Sequence, residues 1–265
     1  LCPPSRGDRR ARGEGGAPWP LALALLLLFA PPAEAVEFGG WYGRATLDAW
    51  HDDNLARQEV PRLSFYPRGN QDLGGNVGLA LGSAFLLTPS LELWLTGSAR
   101  LSRAWIYPEW SGLSTALFAD LSHRWTPDLS SYLSAGSSMF WGGSPYHMAE
   151  VGIEQRAWPG GWVYGAAGLG MLQSDNPAWA FWMPGLTAGF QQGFPTGTRA
   201  SLSYGYQERR YEGDRREPQH QVFLLLGQRM SDRVELRARY GYTLATAPEA
   251  SYRNGFLSFG LAIAL

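Results

Sequence analysis

The chain has 265 residues, 45% hydrophobic and 17% charged, with 33 glycines and 12 each of Trp, Tyr and Phe. A net charge of −1 with no basic patch or stripe excludes a nucleic-acid partner. A mean hydropathy of −0.21 argues against a helical membrane protein, yet permits a β-barrel whose inner row is polar. Every one of the 22 basic residues is Arg, which reads as GC-biased coding rather than function. The only cysteine is Cys2, so from Val36 onward the chain can form neither a disulfide nor a thiolate metal site.

In chain order, residues 1–35 read as a targeting segment. Arg9, Arg10 and Arg12 precede an apolar run from Leu21 to Phe29, and Ala33-Glu34-Ala35 offers a cleavage site before Val36. That run is shorter than the roughly 20 residues a spanning helix needs. The long polar leader ahead of it reads as a start placed too far upstream. Residues 36–265 then form one domain.

Beyond Val36 no segment has helical periodicity of useful length. Instead, short turn signals recur at Thr88-Pro89-Ser90, Thr126-Pro127-Asp128, Pro159-Gly160-Gly161, Pro195-Thr196-Gly197 and Ser231-Asp232. Centred on 89, 127, 160, 196 and 232, they are 38, 33, 36 and 36 residues apart. Each interval holds one hairpin with a more polar connection at its other end, such as Gly142-Gly143-Ser144-Pro145 or Ser174-Asp175-Asn176-Pro177. Residues before Pro89 supply one more hairpin, from strands near 38–50 and 73–87. The expectation is an all-β, closed antiparallel up-and-down transmembrane barrel of about twelve strands. A further short strand over 62–66 leaves ten or fourteen open.

The strands sort their residues by parity. Near the C-terminus, Val234, Leu236, Ala238, Tyr240, Tyr242 and Leu244 share one face, and Arg233, Glu235, Arg237, Arg239, Gly241 and Thr243 the other. Upstream, Val77, Leu79 and Leu81, then Leu91, Leu93 and Leu95, then Leu113, Leu117 and Leu121 continue the apolar row. Charges take the opposite row: Glu92, Arg100, Asp120, Arg124, Glu150, Glu154, Arg156, Arg199 and Arg209. A soluble sandwich would alternate in the same way, and aromatic placement separates the two readings. Trp105, Tyr107, Trp110, Trp141, Tyr146, Trp179, Trp182 and Tyr211 gather beside the longer loops, and Trp125, Trp158, Trp162 and Phe194 beside the short turns. Two such belts are expected at the two interfaces of a bilayer.

On these features, residues 38–265 resemble Gram-negative outer-membrane β-barrel proteins of the porin-like kind. The last strand, with Leu257, Phe259, Leu261, Ile263 and Leu265 on one face, resembles the C-terminal signal read by the barrel-assembly machinery, although Leu265 stands where Phe is usual. Trp50-His51-Asp52-Asp53-Asn54, Tyr240-Gly241-Tyr242-Thr243 and Tyr252-Arg253-Asn254 resemble, more weakly, the barrel domain of surface lipoprotein assembly modifiers. The resemblance implies a bacterial outer-membrane location, with membrane lipid and the assembly machinery as partners.

Catalytic and metal motifs were weighed against this. None of His51, His123, His147 or His220 is followed two residues later by Ser, the spacing an outer-membrane phospholipase uses for acyl transfer. His147 differs in parity from Glu150 and Glu154, so the three do not form a ligand set on one strand face. Gly165, Gly168 and Gly170 are not followed by a helix, which a phosphate loop requires. No cofactor is expected, and no enzyme.

What remains is the inner charged row. Arg199, Arg209, Arg237 and Arg239 on late strands are set against Glu92, Asp120, Glu150 and Glu154 on strands further round, with Arg100 and Glu235 also expected to line the lumen, and opposed charges across a lumen set up a transverse field. Small inner residues such as Gly78, Ala80, Gly82, Ala84, Ser134, Gly136 and Ser138 are expected to leave room. The expectation is a passive channel for small hydrophilic solutes. A closed structural or secretion-linked barrel is the alternative, and an outer-membrane lipid esterase stands third.

Overall fold

The computed structural model describes residues 37–53, 72–106, 108, 111–140, 144–174, 180–211, 215–246 and 252–265. The targeting segment, the strand expected over 62–66, and Tyr107, Trp110, Trp141 and Trp179 lie outside the described residues.

Twelve strands follow one another in the described residues: β1 (Glu37–Asp52), β2 (Asp72–Thr88), β3 (Leu91–Ala104), β4 (Gly112–Thr126), β5 (Leu129–Phe140), β6 (Tyr146–Trp158), β7 (Gly161–Leu172), β8 (Phe181–Gly193), β9 (Thr198–Tyr211), β10 (Arg216–Arg229), β11 (Val234–Ala245) and β12 (Tyr252–Ala264). Each pairs antiparallel with its chain neighbours, and β1 closes the sheet against β12. The closing register runs from Arg44 opposite Ala264 to Asp52 opposite Phe256. The backbone N–H of Leu265 donates to the carbonyl of Gly43 at 3.1 Å, so pairing extends to the last residue. Closure leaves no strand edge, which a bilayer would not tolerate.

The sequence signals that set the turns act locally. Gly160 and Gly197 hold φ of 73° and 78° at two of the short turns, a region that side chains with a Cβ seldom enter. Register shifts fall between Phe38 and Gly40, Leu86 and Thr88, Arg124 and Thr126, and Arg156 and Trp158. All four lie at the short-turn end, where bulges bend the strands at a barrel rim.

Parity then decides the two faces. Leu47, Val77, Leu81, Leu101, Leu117, Val151, Ile153 and Leu186 are all more than half exposed, and they run round the barrel as one outer row. In water such a belt would be a large apolar patch; in hydrocarbon it is the expected surface. Trp41, Trp125, Trp158 and Phe194 flank the belt at the short-turn end, and Trp105 and Trp182 at the other. Three residues expected in these belts lie elsewhere. Trp162, Tyr146 and Tyr211 are register partners of the inner residues Arg156, Leu172 and Phe181, which puts them on the inner row.

The inner row explains a second departure. Six inner aromatic residues each sit directly across from a glycine on the next strand: Tyr42 and Gly82, Trp50 and Gly74, Phe118 and Gly136, Tyr132 and Gly152, Tyr164 and Gly189, Phe223 and Gly241. A Cβ built on any of these glycines collides with the facing ring. The rings therefore lie along the wall, over backbone that has no side chain, rather than across the lumen. Gly82 and Gly136 do not leave room, as their size suggested. They are covered by Tyr42 and Phe118.

Candidate functional site in the barrel interior

A cluster of inner charge gathers toward the short-turn half of the β9–β12 and β1 wall. Glu235, whose side chain is only 13% exposed, accepts hydrogen bonds from Arg44 at 2.7 Å and Arg199 at 2.5 Å. Arg237 lies 3.7 Å from Asp48. The guanidinium of Arg239 stacks over the Phe223 ring, 4.7 Å from its centroid. Arg100 reaches the same space from β3 and repels both Arg237 and Arg239. Five arginines thus meet two carboxylates, and Arg100 and Arg239 have no acidic partner within ion-pair distance among the described residues.

Three cavities follow this wall. The largest, about 520 Å³, opens at the short-turn mouth and is lined by Arg44, Arg199, Arg229, Arg233, Asp232 and Glu235, among others. A second, about 190 Å³, shares Arg44, Arg199 and Glu235 with it and adds Arg237 and Leu225. A third, about 120 Å³, shares Arg237 and Leu225 with the second and adds Arg100, Arg239, Asp48, Asn76, Phe256 and Ser258. Shared residues make the three a continuous series from the mouth inward.

The wall across the barrel is acidic. Asp120 on β4 and Glu150 and Glu154 on β6 are inner-row residues, and in the closed order β5 and β6 lie opposite β11 and β12. Tyr132 donates to Glu150 at 2.8 Å. A smaller cavity of about 130 Å³ adjoins Glu150, Thr187, Gln207 and Gln221. Glu154, Arg100, Arg199 and Arg239 are all exposed although their parity turns them into the barrel. Water reaches them there.

Toward the long-loop end the late-strand wall is dry. Glu217 and Gln219 have no exposed surface. Gln219 donates to Glu217 at 2.5 Å and to the Tyr252 hydroxyl at 2.9 Å, and Tyr252 donates to Glu217 at 3.2 Å. Arg209 lies 3.7 Å from Glu217. Arg209 was grouped by sequence with Arg199, Arg237 and Arg239; the register instead places it in this buried knot, opposite Glu217. On the other side of the mouth, the buried Asp72 accepts from the backbone N–H groups of Leu73, Trp105 and Ile106 at 2.6, 3.2 and 2.9 Å.

Arg44 and Asp48 belong to the charged cluster, and parity reasoning extended to β1 would have found them, since Arg44, Thr46 and Asp48 alternate with Ala45 and Leu47. Trp94 was also missed. It lies on the inner row among aliphatic outer neighbours, its ring 5.3 Å from that of Tyr42, and donates to Glu92 at 3.3 Å. Glu208 and Arg210 depart from the sorting rule altogether. They pair with each other on the outer row near the long loops, with Arg210 stacked 4.5 Å over Trp182. At that height the surroundings are interfacial, and an aromatic ring and an ion pair suit it. Among the described residues no group of three or more His, Cys, Asp or Glu could hold a metal ion.

No family model matches the chain, and no curated protein does. Solved structures do. The COG4313 outer membrane channel from Pseudomonas putida F1 aligns over 89% of this chain and 99% of its own, with 11% identity and a TM-score of 0.63. The chain therefore has the closed twelve-stranded fold of outer-membrane β-barrels. A KdgM porin in complex with disordered oligogalacturonate aligns over 82% of this chain and 98% of its own, with 10% identity and a TM-score of 0.50. At such identities the likeness is one of fold. Neither neighbour bears on the resemblance to surface lipoprotein assembly modifiers.

Proposed function

We propose that this outer-membrane barrel is a passive channel for small hydrophilic solutes, and that Arg100, Arg199, Glu235, Arg237, Arg239, Asp120, Glu150 and Glu154 line its passage. The observation that carries the reading is the exposure of inner-row Arg100, Arg199, Arg239 and Glu154 inside a closed barrel. Charged groups are kept ionised by water, and water continuous with the mouth is what a hydrophilic solute follows. The named neighbours, a channel and a porin, are consistent with it in fold. Facing arginine-rich and acidic walls orient dipolar solutes and favour anions along the arginine side.

The terminal residues Leu257, Phe259, Leu261, Ile263 and Leu265 act in this reading as the signal recognised during assembly. Their outward face meets lipid once the barrel is inserted. A closed barrel is the second reading, and the observation on its side is the buried Glu217, Gln219 and Tyr252 knot. Planar-bilayer recording decides between them. Discrete conductance steps from purified protein are the expected result, and an electrically silent but inserted protein overturns the channel. The Arg237→Ala, Arg239→Ala double variant is expected to shift the reversal potential in a salt gradient away from anion preference.

A further inference from the structure

Within the arginine-rich wall, the 120 Å³ cavity differs from the other two in its lining. Arg100, Arg237 and Arg239 come to it from β3 and β11, with Asp48 as its one carboxylate among the described residues. Asn76 and Ser258 add neutral polar groups, and Leu225 and Phe256 close its sides. Of the three arginines, Arg237 alone has a carboxylate within ion-pair distance among the described residues, Asp48 at 3.7 Å. The Nε of Arg237 is buried and has no hydrogen-bond partner among the described residues. Gathering like charges in a small space is unfavourable unless something negative offsets them.

From this we infer that the cavity is a binding site for a small oxyanion, such as phosphate, sulfate or a small carboxylate. The inference deepens the channel reading and rests on it for its biological meaning, though not for its test. Two features select an oxyanion over a spherical halide. Guanidinium groups present planar forks that match pairs of oxygen atoms. The volume, room for roughly four waters, suits a tetrahedral ion with four oxygens. Three arginines against one carboxylate leave a net charge of two to be offset, which a doubly charged oxyanion supplies.

The site is the innermost of the three cavities, whose volumes are 520, 190 and 120 Å³ from the mouth inward. A solute entering from the short-turn mouth passes Arg44 and Arg199 first. Both are engaged by Glu235, so neither binds strongly, and the ion is handed on to the arginines that are less engaged. Binding inside the passage makes a channel saturable. Phosphate current levels off with concentration, and phosphate competes with chloride for the same passage.

Inorganic phosphate is the probe, and two readouts keep site and channel separate. Calorimetric titration of the detergent-solubilised full barrel measures binding whether or not it conducts. Bilayer recording measures chloride current as phosphate is added. The expected result is binding on the order of millimolar affinity, with chloride current falling over the same range. Arg100→Gln and Arg239→Gln should each weaken both effects about tenfold, the loss of one charge-assisted hydrogen bond. Arg103→Gln, on the outer face, should change neither. Heat-dependent gel mobility confirms that each variant is a folded barrel. A protein that conducts but neither binds phosphate nor saturates overturns the site and leaves the channel standing. Binding without conductance keeps the site and removes the channel. Binding unchanged in both variants overturns the site as drawn.

Discussion

Adjacent residues on facing strands offer a direct test of the sorting on which every functional statement depends. Leu117 on β4 is 71% exposed on the outer row, flanked in register by Gly97 and Ser137. Ser98, next to Gly97 on β3, is on the inner row between Ala80 and Ala116, where a long side chain has room. The same replacement by Arg should therefore have opposite consequences. At Leu117 a guanidinium is driven into hydrocarbon near mid-strand, at a cost of about 2–4 kcal/mol. At Ser98 it extends into the aqueous lumen beside other small residues, and the loss should stay under about 1 kcal/mol. Reversible urea unfolding in phospholipid vesicles reads both. On the stated range, Leu117→Arg lowers the folding equilibrium by roughly 30-fold to 1000-fold, and Ser98→Arg by less than about fivefold. Equal costs at the two positions, or a larger one at Ser98, would refute the assignment of faces.

Glu217→Ala removes the acceptor shared by Gln219 and Tyr252 and the partner of Arg209. The buried charge left behind should cost roughly 3–5 kcal/mol in the same unfolding assay. Gly82→Ala places a methyl group against the Tyr42 ring and the carbonyl of Leu95. Overpacking of that kind costs about 1–3 kcal/mol, and Gly75→Ala, whose added Cβ meets only the Asp48 carbonyl at 3.5 Å, is the milder comparison. Phe259→Asp puts a carboxylate on the lipid face of the last strand, where Phe259 is 58% exposed. Its folded, heat-modifiable form should accumulate more slowly in cells, and wild-type accumulation would remove the assembly role given to this strand.

The lumen owes its space to a balance between bulky and absent side chains. Phe118, Tyr132, Tyr164 and Phe223 would each reach far toward the axis if opposed by another side chain. Facing Gly136, Gly152, Gly189 and Gly241, they lie against the wall instead. Charged groups then take the free volume, and how they pair sets what can pass. Around Glu217, where carboxylate, amide and hydroxyl bond to one another, the wall is dry; around Arg100 and Arg239, which have no carboxylate within ion-pair distance among the described residues, it stays wet.

Strand number, turn positions and the sorting of faces were legible in the sequence, because each is set by neighbours along the chain. A two-residue period fixes which way Arg237 and Leu236 point, whatever the rest of the molecule does. A Pro or Gly at positions such as 159–160 ends a strand without reference to its partner. Hence β4, β6 and β11 could be drawn with their inner charges in place. Which inner residues meet could not be read, because that depends on closure and register. Arg44 and Glu235 bond across 191 positions of sequence only because β1 closes on β12 next to β11. The same geometry takes Arg209 away from Arg199 into a buried knot, turns Trp162 and Tyr146 inward, and lays Tyr42 over Gly82. Alternation is a property of one strand, and it says nothing of how far that strand slides along the next. Tertiary structure decided the slide, and with it the arginine cluster on which solute choice depends.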